Sequence, residues 1–389
     1  MAINHEDAKI LWPATRHGQW IAPEYEKGLV SVIIPTYNRA HRIVETMDSV
    51  YSQTYRPIEV IVVDDGSTDD TPDVFAGWQS GHSGDPGFRA ALLHQENRGA
   101  PTARNRGAIE SRGEYLDFWD CEDLMHPEKI EKQVLASQRH KADVVVCDVA
   151  FLQDQPGDMR KEFHYGTDIE RSTGRMDALE ACSLGGGWNT LAPFFRRNVV
   201  RDAGPWREGL RQTQDCEFNF RACIWANAVA GLGSVLAFER AHTEPGCMSS
   251  DRSEQALSSR IEAYNTIRDN LMKCGRMDPP AQSVLYFLFA ETMTLALEQD
   301  YREVALQACR AAFALIPPDR RLRRIAFRAY LPLIPRLNGR MVIGLSRMFR
   351  IANEMARSVG LRRPIQSSGH DLPLSEQGGR RQPAGVPND

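Results

Sequence analysis

Apolar residues follow two rhythms along this chain. Over residues 29–38, LVSVIIPTYN, they run almost unbroken and β-branched before giving way to Pro, Thr, Tyr and Asn. The next stretch, HRIVETMDSVYSQ, places Ile43, Met47 and Val50 at the spacing of one helix face. EVIVVDDGS then repeats the first rhythm, a short apolar strand closed by acids and glycine. Strands without polar alternation, separated by helical spacing, are buried on both faces. They predict an α/β fold with a mostly parallel sheet flanked by helices.

The pattern continues through a Gly-rich loop at 77–88, a strand in RAALLHQ and a helix in APTARNRGAIESR. EYLDFWDCEDLMHP reads as a strand entering a turn, PEKIEKQVLASQRH as a helix with Pro127 near its start, and ADVVVCDVAFL as a strand. Residues 153–187 are polar and Gly-rich and predict loop and short helix. A strand and two helices follow through TLAPFFRRNVVRDAGPW and TQDCEFNFRACIWANA, and SVLAFERAH is the last strand. From residue 251 helical spacing takes over, in SEQALSSRIEAYNTIRDNLMKC, AQSVLYFLFAETMTLALEQ and YREVALQACRAAFALI. The expected division is an arm over 1–28, a sheet domain over 29–250, a helical accessory region over 251–363 and a disordered tail over 364–389.

Composition narrows the class. A chain of 389 residues that is 42% hydrophobic and 25% charged is an ordinary globular protein, neither collagen-like nor wholly disordered. Its net charge of −4 argues against a polyanion binder, so no nucleic-acid partner is expected. The charge is unevenly placed: residues 320–363 hold twelve Arg, no Lys and one acid, Glu354, a local +11 that leaves −15 elsewhere. In that segment Met341, Leu345, Met348, Ala352 and Met355 share a helical face while Arg340, Arg347, Arg350 and Arg357 lie mostly off it. A basic amphipathic helix of this kind suits an anionic membrane surface; the plainer alternative is a helix packed on its neighbour with a solvated basic face. The eight cysteines contain no CxxC pair, and MAINHEDAKI lacks the basic and apolar regions of a leader. The expected location is the cytoplasm, with peripheral association at the inner face of the membrane through 320–363. The uncharged stretch 222–238 contains Asn227, Gly231 and Gly233 and is too short to span, so no transmembrane helix is expected.

In open α/β sheets ligands bind outside the carboxyl ends of the strands. Three predicted strand ends carry polar groups there: Pro35-Thr36-Tyr37-Asn38, Asp64-Asp65-Gly66-Ser67 and Asp120-Cys121-Glu122-Asp123. Any one alone would pass as a turn, since Asp, Asn, Gly and Ser favour turns for local reasons. All three together are better explained by a ligand. The crowded acids of the third segment suit a hard divalent cation bound with a diphosphate, or else a solvated turn ahead of the helix at Pro127.

The segments VSVIIPTYNRAHRIVETMDSVYSQTYRPIEVIVVDDGSTDDT and NRGAPTARNRGAIESRGEYLDFWDCEDLMHPEKI closely resemble the family 2 inverting glycosyltransferases of GT-A fold. The resemblance covers roughly residues 29–245 and implies a donor site for a nucleotide-diphosphate sugar, UDP- or TDP-linked, holding Mg²⁺ or Mn²⁺. It implies that Pro35 and Tyr37 hold the base, with Asn38 and Asp64 at the same strand ends, and that Asp65 accepts from the ring N–H of a pyrimidine. Arg104 and Asn105 match the helix beside the nucleotide. Asp120-Cys121-Glu122 matches the family's DXD motif, with Glu122 as metal ligand where the family usually has Asp, and Asp123 in support. TQDCEFNFR matches the Glu-Asp segment, with Gln214 in place of the usual Glu and Asp215 as the base; an N-cap acid is the plainer role for Asp215. His242, in FERAHTEPGCMSS, matches a loop His that completes the metal's ligands. Trp188 and Asn189 fall where the family shapes the acceptor pocket, Trp188 offering a sugar-stacking face or else serving as an ordinary core aromatic.

Together these imply an inverting glycosyltransferase acting on a glycan or lipid-linked acceptor in surface polysaccharide or glycoconjugate assembly. Glu122 and Gln214 favour a second reading, a catalytically silent sugar-nucleotide or glycan-binding module on the same fold. A dinucleotide-dependent oxidoreductase is disfavoured because no GxGxxG follows the first strand.

Overall fold

The computed structural model describes residues 20–152, 159–166, 178–184, 187–240 and 251–315. Strands β1 (Glu26–Thr36), β2 (Ile58–Asp64), β3 (Phe88–His94) and β4 (Gly113–Phe118) pair in parallel in the order β3-β2-β1-β4. Val30, Val32, Ile33 and Ile34 of β1 and Val60, Val62 and Val63 of β2 are all buried, as the unbroken apolar runs require of a sheet covered on both faces. Helix α1 (Ile43–Tyr51) buries Ile43, Met47 and Val50, its predicted face. Helix α2 (Thr71–Gly81) follows β2, and α3 (Ala100–Glu110) follows β3. A Cβ on Gly107 of α3 would stand 2.5 Å from Ile33 Cγ2, so glycine is what lets this helix lie so close to β1.

Beyond β4 the sheet is mixed. Strand β8 (Pro193–Arg196) runs antiparallel to both β4 and β6 (Val144–Leu152), while β9 (Val229–Arg240) is parallel to β6. The two-residue β5 (Leu124–Met125) pairs with β9, and β7 (Met159–Phe163) with β6. Helices α4 (Lys129–His140), α5 (Ala178–Leu184), α6 (Arg197–Ala203) and α7 (Gln214–Trp225) complete this part. Helices α8 (Glu254–Lys273), α9 (Pro279–Glu298) and α10 (Arg302–Ala314) come next, α8 packing on α7 and α9 on α5. Among the described residues no helix is long and apolar enough to cross a membrane.

Several elements differ from the sequence reading; the last strand, expected from Ser234, starts at Val229. The expected loop at 77–88 is in its first half the end of α2: Phe75 and Trp78 pack inward, Trp78 Nε1 donates to Asp48 Oδ1 at 2.6 Å, and tertiary contact overrides the glycine signal. Strand β1 starts at Glu26 rather than Leu29, because Glu26 N donates to Arg112 O and its carboxylate pairs with Arg89 and Arg112. Strand β7 occupies part of the polar stretch read as loop and helix. Of the arm, Trp20 donates to Arg201 O and Ile21 is buried in the core. The rest of the arm, His242, the basic segment 320–363 and the tail 364–389 lie outside the described residues.

Candidate active site

The carboxyl ends of β1, β2 and β4 converge, and their turns are tied to one another by polar side chains. Asn38 takes a left-handed φ of 53° just beyond β1. Its amide donates to Ser67 Oγ at 2.9 Å and its Oδ1 accepts from Thr68 N at 2.8 Å. The β1 turn is therefore locked to the β2 turn. Gly66 supplies a φ of 78° there, and a Cβ on it would meet Asn97 N at 2.9 Å. Asp64, fully buried, accepts from Ser67 N at 3.1 Å and pairs with His94 Nδ1 at 2.6 Å. Pro35 is buried at the end of β1 and Tyr37 is exposed beside it.

Asp65 holds the loop that enters α3. Its Oδ1 accepts from Arg98 N at 2.9 Å and Gln95 Nε2 at 2.8 Å, and its Oδ2 accepts from Gly99 N at 2.7 Å. Asp65→Ala leaves these three donors without their acceptor, and the expected loss is about 2 kcal/mol of stability, measured by urea unfolding. A loss below about 0.5 kcal/mol would mean that water replaces the carboxylate at no cost.

From α3 the Arg104 guanidinium reaches the third strand end. It is buried, donates from Nη2 to Asp120 Oδ1 at 2.6 Å and from Nη1 to Gln214 Oε1 at 3.1 Å, and lies 4.6 Å over the Trp206 ring. Trp206 stacks in turn on Phe218 at 4.3 Å. One arginine thus joins the DCED segment to the first residue of α7. Asn105, its neighbour, faces a different partner: it donates to Trp206 O at 2.9 Å and accepts from Trp206 N at 2.7 Å, so it anchors the 206 segment.

In the DCED segment, Glu122 pairs with Arg39 Nε at 3.4 Å. Cys121 is buried, and burial pushes its thiol up to about 12. Asp123 is buried behind them and accepts from Arg240 N at 2.7 Å. Burial raises its carboxyl well above the usual range, and the charges of Asp120, Glu239 and Glu122 add to the effect. Arg240, at the end of β9, also donates to Glu122 O and to Glu45 on α1, which fixes the segment's far side.

Asp215, the second residue of α7, is half-buried and accepts from Cys216 N at 2.8 Å. Burial raises its carboxyl above the ordinary value; the Cys216 amide and Arg104 oppose this, and Asp120 adds to it. The residue before α7, Thr213, has a left-handed φ of 58° and caps nothing with its side chain, so Asp215 is held by the turn and by Arg104's grip on Gln214. Trp188, also left-handed at φ 50°, is buried. Asn189 donates to Glu239 Oε2 at 2.9 Å and accepts from Ala192 N at 3.2 Å.

Arg104, Asp120, Gln214 and Asp215 are thus brought into one network, with Asp64, Asp65 and Asn38 across the sheet edge. The sequence reading did not single out Arg39, Arg240 or Glu239. Their residue types carry no pattern, and each acts on a partner at least fifty positions away.

The family model for glycosyl transferase family 2 matches residues 31–201. A Rickettsia typhi protein named as an uncharacterized glycosyltransferase is 38% identical over 249 residues, 63% of this chain and 72% of that protein. Bacillus subtilis EpsH, named as a glycosyltransferase, is 30% identical over 222 residues, 56% of this chain and 62% of its own length. GlyG of Streptococcus pneumoniae is 37% identical over 119 residues, 30% of this chain and 38% of that protein. The chain thus spans less than two thirds of EpsH and GlyG. In fold it resembles S. aureus TarS 1–349 in complex with UDP, with a TM-score of 0.61 at 19% identity over 82% of this chain and 91% of that one. The same protein in complex with UDP-GlcNAc gives a TM-score of 0.60 at 19% identity, over 85% of this chain and 92% of that one.

Proposed function

The chain belongs to glycosyl transferase family 2, and we propose that it catalyses inverting transfer of a sugar from a pyrimidine-nucleotide diphosphate to an acceptor hydroxyl. The observation that carries this reading is the Arg104 bridge, which holds Asp120, at the donor side, and Gln214, beside the candidate base, in one piece. A shared fold with TarS 1–349, which binds UDP and UDP-GlcNAc, supports a uridine-type donor.

Asp215 takes the proton of the attacking hydroxyl on its carboxylate. As that oxygen bonds to the anomeric carbon from the opposite face, the bond to the diphosphate oxygen breaks and its electron pair leaves with the nucleoside diphosphate. Raised above its ordinary value by burial, the Asp215 carboxyl is a stronger base than a solvated one once ionised. Arg104 keeps it aligned through Gln214. Asp65 and Asn38 shape the cleft for the base by fixing the loops around it.

Among the described residues no three His, Cys, Asp or Glu are grouped to hold a metal by themselves. Mg²⁺ and Mn²⁺ commonly take one or two carboxylates and fill their shells with phosphate and water, and Glu122 with Asp120 supplies oxygens of that type. Bound there, the cation would neutralise charge on the departing diphosphate. Glu122 would exchange Arg39 for it. A glycan or lipid-linked acceptor in surface polysaccharide or glycoconjugate assembly fits the same reading.

Titration calorimetry with UDP, TDP, GDP and CDP, with and without Mn²⁺, tests the donor site. UDP or TDP should bind with a Kd at least about tenfold lower when Mn²⁺ is present, and Glu122→Ala should erase that gain while leaving metal-free binding unchanged. A silent sugar-nucleotide-binding module gives the same titration without turnover. Binding of none of the four contradicts the transferase reading and leaves the glycan-binding module in its place.

A further inference from the structure

The helical region beyond residue 251 meets the candidate base's own turn. A single hydroxyl, Ser259 Oγ in the buried face of α8, accepts from Arg211 N at 2.8 Å and from Gln212 N at 3.4 Å. The buried carboxamide of Gln212 reaches two further points of the same region: its Nε2 donates to Asp251 O at 2.7 Å, and its Oε1 accepts from Arg260 Nε at 2.9 Å. Arg211 adds a hydrogen bond to Gln255 Oε1 at 2.8 Å, and Arg207 bonds to Thr266 and Glu262 on the next turns of α8. Each of these groups sits on residues 207–212, immediately before the left-handed Thr213, Gln214 and Asp215.

We propose that Ser259 and Gln212 are positioning residues for Asp215, so that α8 is a working part of the active site. The chain of contacts is continuous. Ser259 fixes the backbone of 211–212, whose turn closes on itself through Gln214 Nε2 to Leu210 O at 2.9 Å. Gln214 then accepts from Arg104, and Arg104 holds Asp120. A carboxylate that must meet a hydroxyl in line with a leaving group tolerates little displacement, and a shift of about 1 Å can cost about a hundredfold in rate. Thr213 supplies no side-chain cap to α7, so the contacts from α8 hold the turn alongside Arg104 and Asn105. The matched family segment ends at residue 201, so this support lies beyond it.

The inference rests on the reading of Asp215 as the base, and the test separates the two. UDP release by the full chain is followed with UDP-glucose, UDP-galactose and UDP-GlcNAc plus Mn²⁺, and variants are compared on the best of these. Ser259→Ala should lower kcat about tenfold with KM for the UDP-sugar and Kd for UDP within about twofold of wild type. Ser259→Thr, which keeps the hydroxyl, should recover kcat to within about threefold. Ala308→Gly, a buried site in α10, loosens the helical region outside α8 and should keep the wild-type kcat, which separates positioning from loss of stability. Gln212→Ala removes the turn's other links and should lower kcat in the same way, and it serves as the test if Ser259→Ala does not fold. Unchanged kcat in Ser259→Ala beside an inactive Asp215→Asn overturns the positioning role alone. Equal release by wild type and Asp215→Asn, or no release by wild type, overturns the base assignment and this role with it.

Discussion

Asp215→Asn is expected to lower the rate of sugar transfer about a thousandfold while leaving affinity for the nucleoside diphosphate within about twofold. The substitution keeps the shape of the side chain and its acceptor for Cys216 N, so the turn before α7 and Arg104's hold on Gln214 survive. What it removes is basicity: an amide oxygen cannot take the acceptor's proton as the new bond forms. The loss therefore falls on kcat and spares donor binding. A linked result concerns pH. With Asp215 as the proposed base the ionised form is the active one, and burial raises its carboxyl above its ordinary value, so the rate should fall as pH drops through a midpoint above about 3.9. Steady-state release of nucleoside diphosphate across pH measures both effects. A variant within about threefold of wild type would exclude a base role.

The largest effect on stability is expected away from the chemistry, at Lys129. Its ammonium and the Asp117 carboxylate are fully buried between α4 and the sheet, 2.7 Å apart; Lys129 also donates to Gln133 Oε1 at 2.9 Å and lies 4.8 Å over the Trp119 ring. Lys129→Met leaves a buried carboxylate with no cation and should cost about 3–5 kcal/mol in urea unfolding. The sign of its pH dependence follows from Asp117. Burial already holds that carboxyl above its ordinary value, against the pull of Lys129. Without Lys129 it rises further, so the folded variant keeps a proton that the unfolded chain has released. Its deficit is then largest near pH 7 and shrinks as pH falls toward about 4. Adding Asp117→Leu to Lys129→Met should recover more than half of the loss, because an apolar pair of similar volume has no charge to bury. A single variant within about 1 kcal/mol of wild type would mean that water enters and solvates the carboxylate.

The strand ends were legible because β1 and β2 are largely apolar runs that give way to Asn38 and Asp64-Asp65, and β4 leads through Phe118 and Trp119 to Asp120; strand direction then places those groups on one edge. Helix α2 was not, since Gly77 and Gly81 weaken a pattern that only the packing of Phe75 and Trp78 restores. Strand β7, with the charged sequence MRKEF, pairs among the described residues with β6 and shows no alternation to read. The network itself lies further from what a single sequence carries. Arg104 matches the helix beside the nucleotide, and its partners Asp120 and Gln214 come from separate elements that no local pattern links. Asn105, matched to the same role, secures the Trp206 backbone, because the side chain after Arg104 points to a different face of α3. The pairing of Glu122 with Arg39 joins two turns that only the sheet brings together.

The stereochemistry of the released sugar bears most directly on the central claim, that Asp215 serves an in-line displacement. Proton NMR of the anomer first formed from an α-linked UDP-sugar, recorded before mutarotation, should give the β anomer for the wild-type protein and no product for Asp215→Asn. First release of the α anomer would contradict the account, because retention requires two displacements and a different role for Asp215.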